Sequence, residues 1–190
     1  PLYSSAASDV YKRQVWDMRH TPVTKIEGKD PIAEATVDGP LVPPGMYQVA
    51  LKVGDTTLTE QFEVTKPSTI QASQEDLQAQ YDLLVRIYTK LNETVAGVNR
   101  ARDLRAQLDG WATRSEQLSD GKAIGEVAKA LKEKVLEIEK ELQVPDLRAG
   151  WADNFNNGVR LLAQLSSLTD LVELGDYRPT DQAEEFFTHI

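Results

Sequence analysis

Around Pro67 the spacing of apolar residues changes period. Before it, Met46-Tyr47-Gln48-Val49-Ala50-Leu51-Lys52-Val53 alternates, turns at Gly54-Asp55 and continues to Phe62-Glu63-Val64. After it, apolar residues recur every three or four positions. A period of two followed by one of 3.6 predicts a β unit followed by a helical unit. A chain of 190 residues accommodates one compact domain or two modest ones.

Charge narrows the functional classes. The net charge is −9, and it is unevenly spread: residues 1–66 carry 7 Lys/Arg against 9 Asp/Glu, residues 67–190 carry 14 against 21. An acidic helical unit does not neutralise phosphates, so no nucleic-acid partner is expected. The chain has no cysteine, which excludes disulfides, thiolate catalysis and cysteine zinc sites. No apolar run is long enough to predict a membrane span. No metal cluster, phosphate loop or activated nucleophile stands out, so no cofactor and no catalytic residue is assigned. His20 and His189 have no partners at ligand spacing.

Residues 1–14 sit apart. Ser4 to Gln14 resembles a translated sequencing-adapter remnant of the kind found at the ends of assembled environmental sequences, which places the true start upstream; a natural N-terminal tail is the alternative. Residues 15–66 are then read as the β unit. Val15 to Arg19 alternates as a strand, Ile32 to Val37 is a second candidate, and Val42-Pro43-Pro44-Gly45 is a turn signal before Tyr47. Tyr47, Val49, Leu51 and Val53 share one face, and Leu58, Phe62 and Val64 supply the return strand.

Residues 67–72 read as a linker and 73–190 as helices, at about 73–114, 122–143, 152–172 and 181–190. Ser73 can cap the first, with Asp76 three residues on. Its stripe is Leu77, Tyr81, Leu84, Tyr88, Leu91, Val95 and Val98; that of the second helix is Ile124, Val127, Leu131, Val135, Ile138 and Leu142. Glu133, Glu137 and Glu141 read as a solvated flank. Asn156 and Asn157 stand where a third helix begins, and Thr180 or Asp181 caps a fourth. Packing the stripes together predicts an antiparallel three- to four-helix bundle.

Four residues are candidate ligand or partner contacts. Arg102 and Arg105 interrupt the seam of the first helix, where they face either acidic residues of a neighbouring helix or a partner. Trp111 and Trp151, with Trp16 and Tyr47, would make a sugar-stacking platform if exposed together, packing being the alternative.

The stretch Val15-Trp16-Asp17-Met18-Arg19 and then Gly39 to Val49 resembles the closing half of the immunoglobulin-like domain of flagellar hook-capping proteins. Asp76 to Leu84, Asn99 to Arg105 and Arg178-Pro179-Thr180-Asp181-Gln182 resemble the C-terminal region of bacterial sortilin-like, glycosidase-like β-propeller proteins, over residues 15–190. The resemblance implies a partial immunoglobulin-like antiparallel β-sandwich, missing its early strands, followed by the helical bundle. It also implies a non-catalytic structural or interaction region of a larger extracytoplasmic protein, periplasmic or secreted, with an upstream β-propeller as its partner. The family's candidate catalytic residues lie in the propeller and have no matching positions here. A carbohydrate-binding module is the rival reading. An accessory part of a glycoside hydrolase site comes third and would have to gather Glu75, Asp153 or Asp181.

Overall fold

The computed structural model describes residues 15–27, 37–145 and 158–190. The N-terminal tail, most of the candidate strand at Ile32–Val37, Trp151, Asp153, Asn156 and Asn157 lie outside the described residues. The elements are β1 (Gly45–Val53), β2 (Thr56–Val64), α1 (Gln74–Ser115), α2 (Lys122–Leu142), α3 (Leu161–Val172) and α4 (Asp181–His189).

The β unit is a single hairpin. β1 and β2 pair antiparallel, Tyr47 opposite Phe62 and Leu51 opposite Leu58. Gly54, the first of its two loop residues, has φ 58°, the conformation that a type II′ turn reserves for glycine. Val15 to Arg19 does not extend this sheet. Met18 has φ 61°, which breaks the extended run, and one isolated bridge joins Arg19 to Leu41.

Residues 20–27 do something else again. They form a strap laid along α1, and its polar groups are met by helix side chains. The His20 Nε2 and Tyr81 hydroxyl are 2.8 Å apart. The Thr24 amide donates to Asn92 Oδ1 at 3.1 Å, and the Glu27 amide to Asn99 Oδ1 at 2.8 Å. Val23 and Ile26 point inward and are buried. The expected partial immunoglobulin-like sandwich is therefore corrected: among the described residues there is one two-stranded sheet, and the segment that would have supplied further strands splits its amides, His20 and Val23 donating to the Pro40 and Val37 carbonyls and Thr24 and Glu27 to asparagines of a helix.

α1 is the spine. Its 42 residues span about 63 Å at 1.5 Å per residue. Ser73 caps it, with a reciprocal bond from the Ser73 amide to Asp76. The core runs along α1 from Leu83 to Val98, where Leu83, Ile87, Leu91 and Val98 pack with Val23 and Ile26 of the strap, Leu165, Leu168 and Val172 of α3, and Ala183 of α4. α2 runs antiparallel along the C-terminal half: Gly125 lies against Ser115, Lys132 pairs with Asp109, and Glu139 meets Arg105.

This replaces the expected antiparallel bundle with a spine whose two halves have different partners. α3 and α4, of 12 and 9 residues, cover one half and α2 the other. α2 also turns a different side inward from the one its apolar stripe predicts. Gly125, Ala128 and Glu139 are buried, while Ile124, Val127, Leu131 and Ile138 are exposed. The reason is steric and electrostatic. Small residues let the backbones approach closely, since a Cβ on Gly125 would sit 2.6 Å from Ser115 Oγ, and two arginines of α1 converge on Glu139.

Candidate functional site

The change of period at Pro67 coincides with a cleft. Met18, Arg19, Pro43, Val64, Pro67, Leu77, Tyr81, Leu84 and Glu173 are among the residues lining a space of about 290 Å³ between the hairpin base, the start of α1 and the loop after α3. The left-handed Met18 sits on its wall, a conformation that costs a non-glycine residue roughly 1–2 kcal/mol. It is held by the Arg19 amide donating to Asp17 Oδ1 and the Val42 amide donating to the Met18 carbonyl.

That bend aims Arg19 across the cleft. Its Nη1 donates to Glu173 Oε1 at 2.9 Å and to the Gly39 carbonyl at 2.9 Å. The bond to Glu173 holds the guanidinium pKa above its ordinary value, against some desolvation. Gln80 Nε2 donates to the carbonyls of Val172 and Gly175, each at 2.7 Å. These contacts tie the polar groups of the wall to the protein itself. What stays open is apolar, near the lower size limit of a small-ligand pocket, and suits an apolar side chain better than a reacting polar substrate.

Above the cleft, Trp16 packs on Tyr47 and Phe62, ring centroids 5.9 and 6.0 Å away. Burial pushes the Tyr47 phenol pKa up, and its hydroxyl donates to the Pro43 carbonyl at 2.6 Å. This trio covers only the base of the hairpin's apolar face. Val49, Leu51, Val53 and Leu58, on the same face by strand alternation, are each more than half exposed.

The candidate contact residues lie elsewhere. Arg102 Nε is 3.1 Å from Glu139 Oε1, and Arg105 Nη1 pairs with Glu139 Oε2. Arg102 Nη1 also donates to the Glu27 carbonyl at 2.6 Å, fastening the end of the strap. Both arginines thus join α1 to α2. Trp111 is exposed, with the Arg114 guanidinium 4.6 Å from its ring centroid. It lies about 50 Å along α1 from Leu77 on the cleft wall, so Trp111 and Trp16 do not share a surface. Glu75 and Asp181 sit in the first turns of α1 and α4, where a carboxylate is favoured by the helix dipole.

Sequence reasoning missed the cleft. Its only sequence signal was Pro43-Pro44 and Pro67, rigid residues that shape a wall without naming a chemistry.

Fold and site together define a mixed α/β chain: a helical spine with a strap, carrying an apolar hairpin that the described residues leave largely uncovered. No family model matches the chain, and no curated protein or solved structure matches it either. Among the described residues no helix is long and apolar enough to cross a membrane.

Proposed function

We propose that this chain is a non-catalytic structural and interaction region of a larger extracytoplasmic protein, and that its hairpin docks on β structure supplied from outside the chain. One observation carries the reading. One hairpin face carries Tyr47, Val49, Leu51, Val53, Leu58 and Phe62, interrupted by Glu60 opposite Val49 and Thr56 opposite Val53, and Trp16 covers only its base. An isolated two-stranded ribbon is marginally stable at best, and its outer edges present unpaired amides and carbonyls that template further strands. Apolar residues at alternate positions then select the partner through side-chain pockets.

The resemblance to propeller-associated C-terminal regions supplies the identity of that partner and the compartment: an upstream β-propeller of the parent chain, outside the cytoplasm. The cleft beside Pro43 and Val64 continues the apolar surface at the hairpin base and receives a side chain of the same partner. The carbohydrate reading gains less, because Trp16 and Trp111 lie at opposite ends of the spine.

Calorimetric titration of the chain with the separately produced upstream region of its parent gene product tests the proposal. Binding is expected, and Leu51→Lys with Leu58→Lys is expected to abolish it while helix content stays unchanged. Absence of binding, or binding that survives both substitutions, contradicts it.

A further inference from the structure

The exposed stripe of α2 does not stand alone. With antiparallel helices and 100° per residue, Leu104 and Trp111 of α1 project to the same side of the pair as Ile124, Val127, Leu131 and Ile138 of α2. Their exposures are 42, 55, 49, 59, 45 and 60% respectively. Together they present on the order of 600 Å² of apolar surface, at the upper end of what a monomer usually shows and near the ~800 Å² each partner gives to a standard interface. Among the described residues nothing packs on this face.

Its edges carry charge in a particular order. Gly125 against Ser115, Lys132 against Asp109 and Glu139 against Arg105 set which positions of the two helices share a level. On the outer edges Arg100 is level with Glu141 and Gln107 with Lys134, and all four are exposed. We propose that this face is the interface of a homodimer, with two copies stacked face to face about a twofold axis parallel to the helices.

That operation sets α1 of each copy over α2 of the other at the same height. Arg100 then meets Glu141 of the second copy, and the neutral Gln107 meets Lys134. The alternative twofold, lying in the interface across the helices, would stack α1 on α1 and bring Arg100 over Arg114. Like charges so placed disfavour it. The face is self-complementary in one orientation, as an isologous interface requires. The inference is independent of the hairpin, which lies at the other end of the spine.

Sedimentation equilibrium on the full chain tests it. A dimer is expected in the micromolar range. Leu131→Glu, at a site already open to water, should leave the circular dichroism unchanged and weaken the dimer by at least about a hundredfold. Arg100→Glu and Glu141→Arg should each weaken it about tenfold, and the two together should recover most of the loss. A chain that stays monomeric at several hundred micromolar overturns the proposal, whether or not another protein then occupies the face. A dimer indifferent to Leu131→Glu, or one whose charge reversals fail to compensate, overturns it equally.

Discussion

Arg105 reaches from α1 to Glu139 of α2, and the two differ in exposure: the glutamate side chain is 1% exposed and the arginine 24%. The carboxylate is sealed between the helices, with Arg102 on its other oxygen and Gln143 Nε2 donating to it at 3.3 Å. The arginines keep a water-facing side. This asymmetry, rather than apolar matching, fixes the rotation of α2.

Removing the carboxylate should therefore cost more than a surface ion pair would. Glu139→Ala leaves two guanidiniums facing each other, and a loss of about 2–4 kcal/mol is expected in urea unfolding, the arginines' partial exposure keeping it from the top of the range for broken buried pairs. Exposed pairs contribute about 0–1 kcal/mol, so Lys140→Ala, which breaks only the pair with Glu137, should change stability by less than about 0.5 kcal/mol.

The contact between Gly125 and Ser115 gives a two-residue test. Gly125→Ala places a methyl 2.6 Å from Ser115 Oγ but 3.8 Å from its Cβ, and should destabilise by about 1–3 kcal/mol through overpacking. Ser115→Ala removes that oxygen. The double variant should be more stable than Gly125→Ala alone, a coupling that a double-mutant cycle by denaturant unfolding reads directly.

The core and the exposed stripe should respond oppositely to truncation. Leu165 is fully buried against α1, and Leu165→Ala should cost about 3–5 kcal/mol. Ile124→Ala should stay within about 0.5 kcal/mol at concentrations too low for association. Thermal unfolding of the two variants checks the assignment of the α2 face.

At the start of α1, the Ser73 hydroxyl and amide hold the Asp76 carboxyl below its usual range, with Arg178 adding to this. A carboxylate with a depressed folded pKa contributes stability above its unfolded pKa and loses it as pH falls through the folded value. The carboxylate's share of the capping contribution should be full at neutral pH, begin to fall near pH 4 and be lost once the pH drops below the depressed folded pKa. Ser73→Ala should cost about 1 kcal/mol at pH 7, and the gap from the parent chain should narrow in acid without closing, because the Asp76 amide still donates to the Ser73 hydroxyl. Helix content followed by circular dichroism against pH measures both.

Local chemistry made some of this fold legible. The change of period at Pro67, the glycine turn at Gly54 and the Ser73 cap each depend on neighbours in sequence, and each is present. The rest depended on distant partners. The strap at residues 20–27 shows no useful period, because distant partners satisfy its amides: Asn92 and Asn99 those of Thr24 and Glu27, and the Pro40 and Val37 carbonyls those of His20 and Val23. The rotation of α2 contradicts its apolar pattern, which carries no record of the small residues and buried glutamate that face α1. Met18 gave no sign of its left-handed backbone, since nothing in Asp17-Met18-Arg19 demands it. Arg102 and Arg105 were legible as charges, and only the fold showed them meeting on one carboxylate.

Hydrogen exchange of the β1–β2 amides, with and without the upstream region of the parent gene product, tests the central claim most directly. In the chain alone, amides from Val49 to Leu58 should exchange far faster than those of α1 around Ile87, because a two-stranded ribbon protects little. With the upstream region present, the hairpin amides should slow by at least about a hundredfold. Hairpin amides already protected in the isolated chain, or unprotected in both states, would contradict the assignment of this hairpin as a docking element.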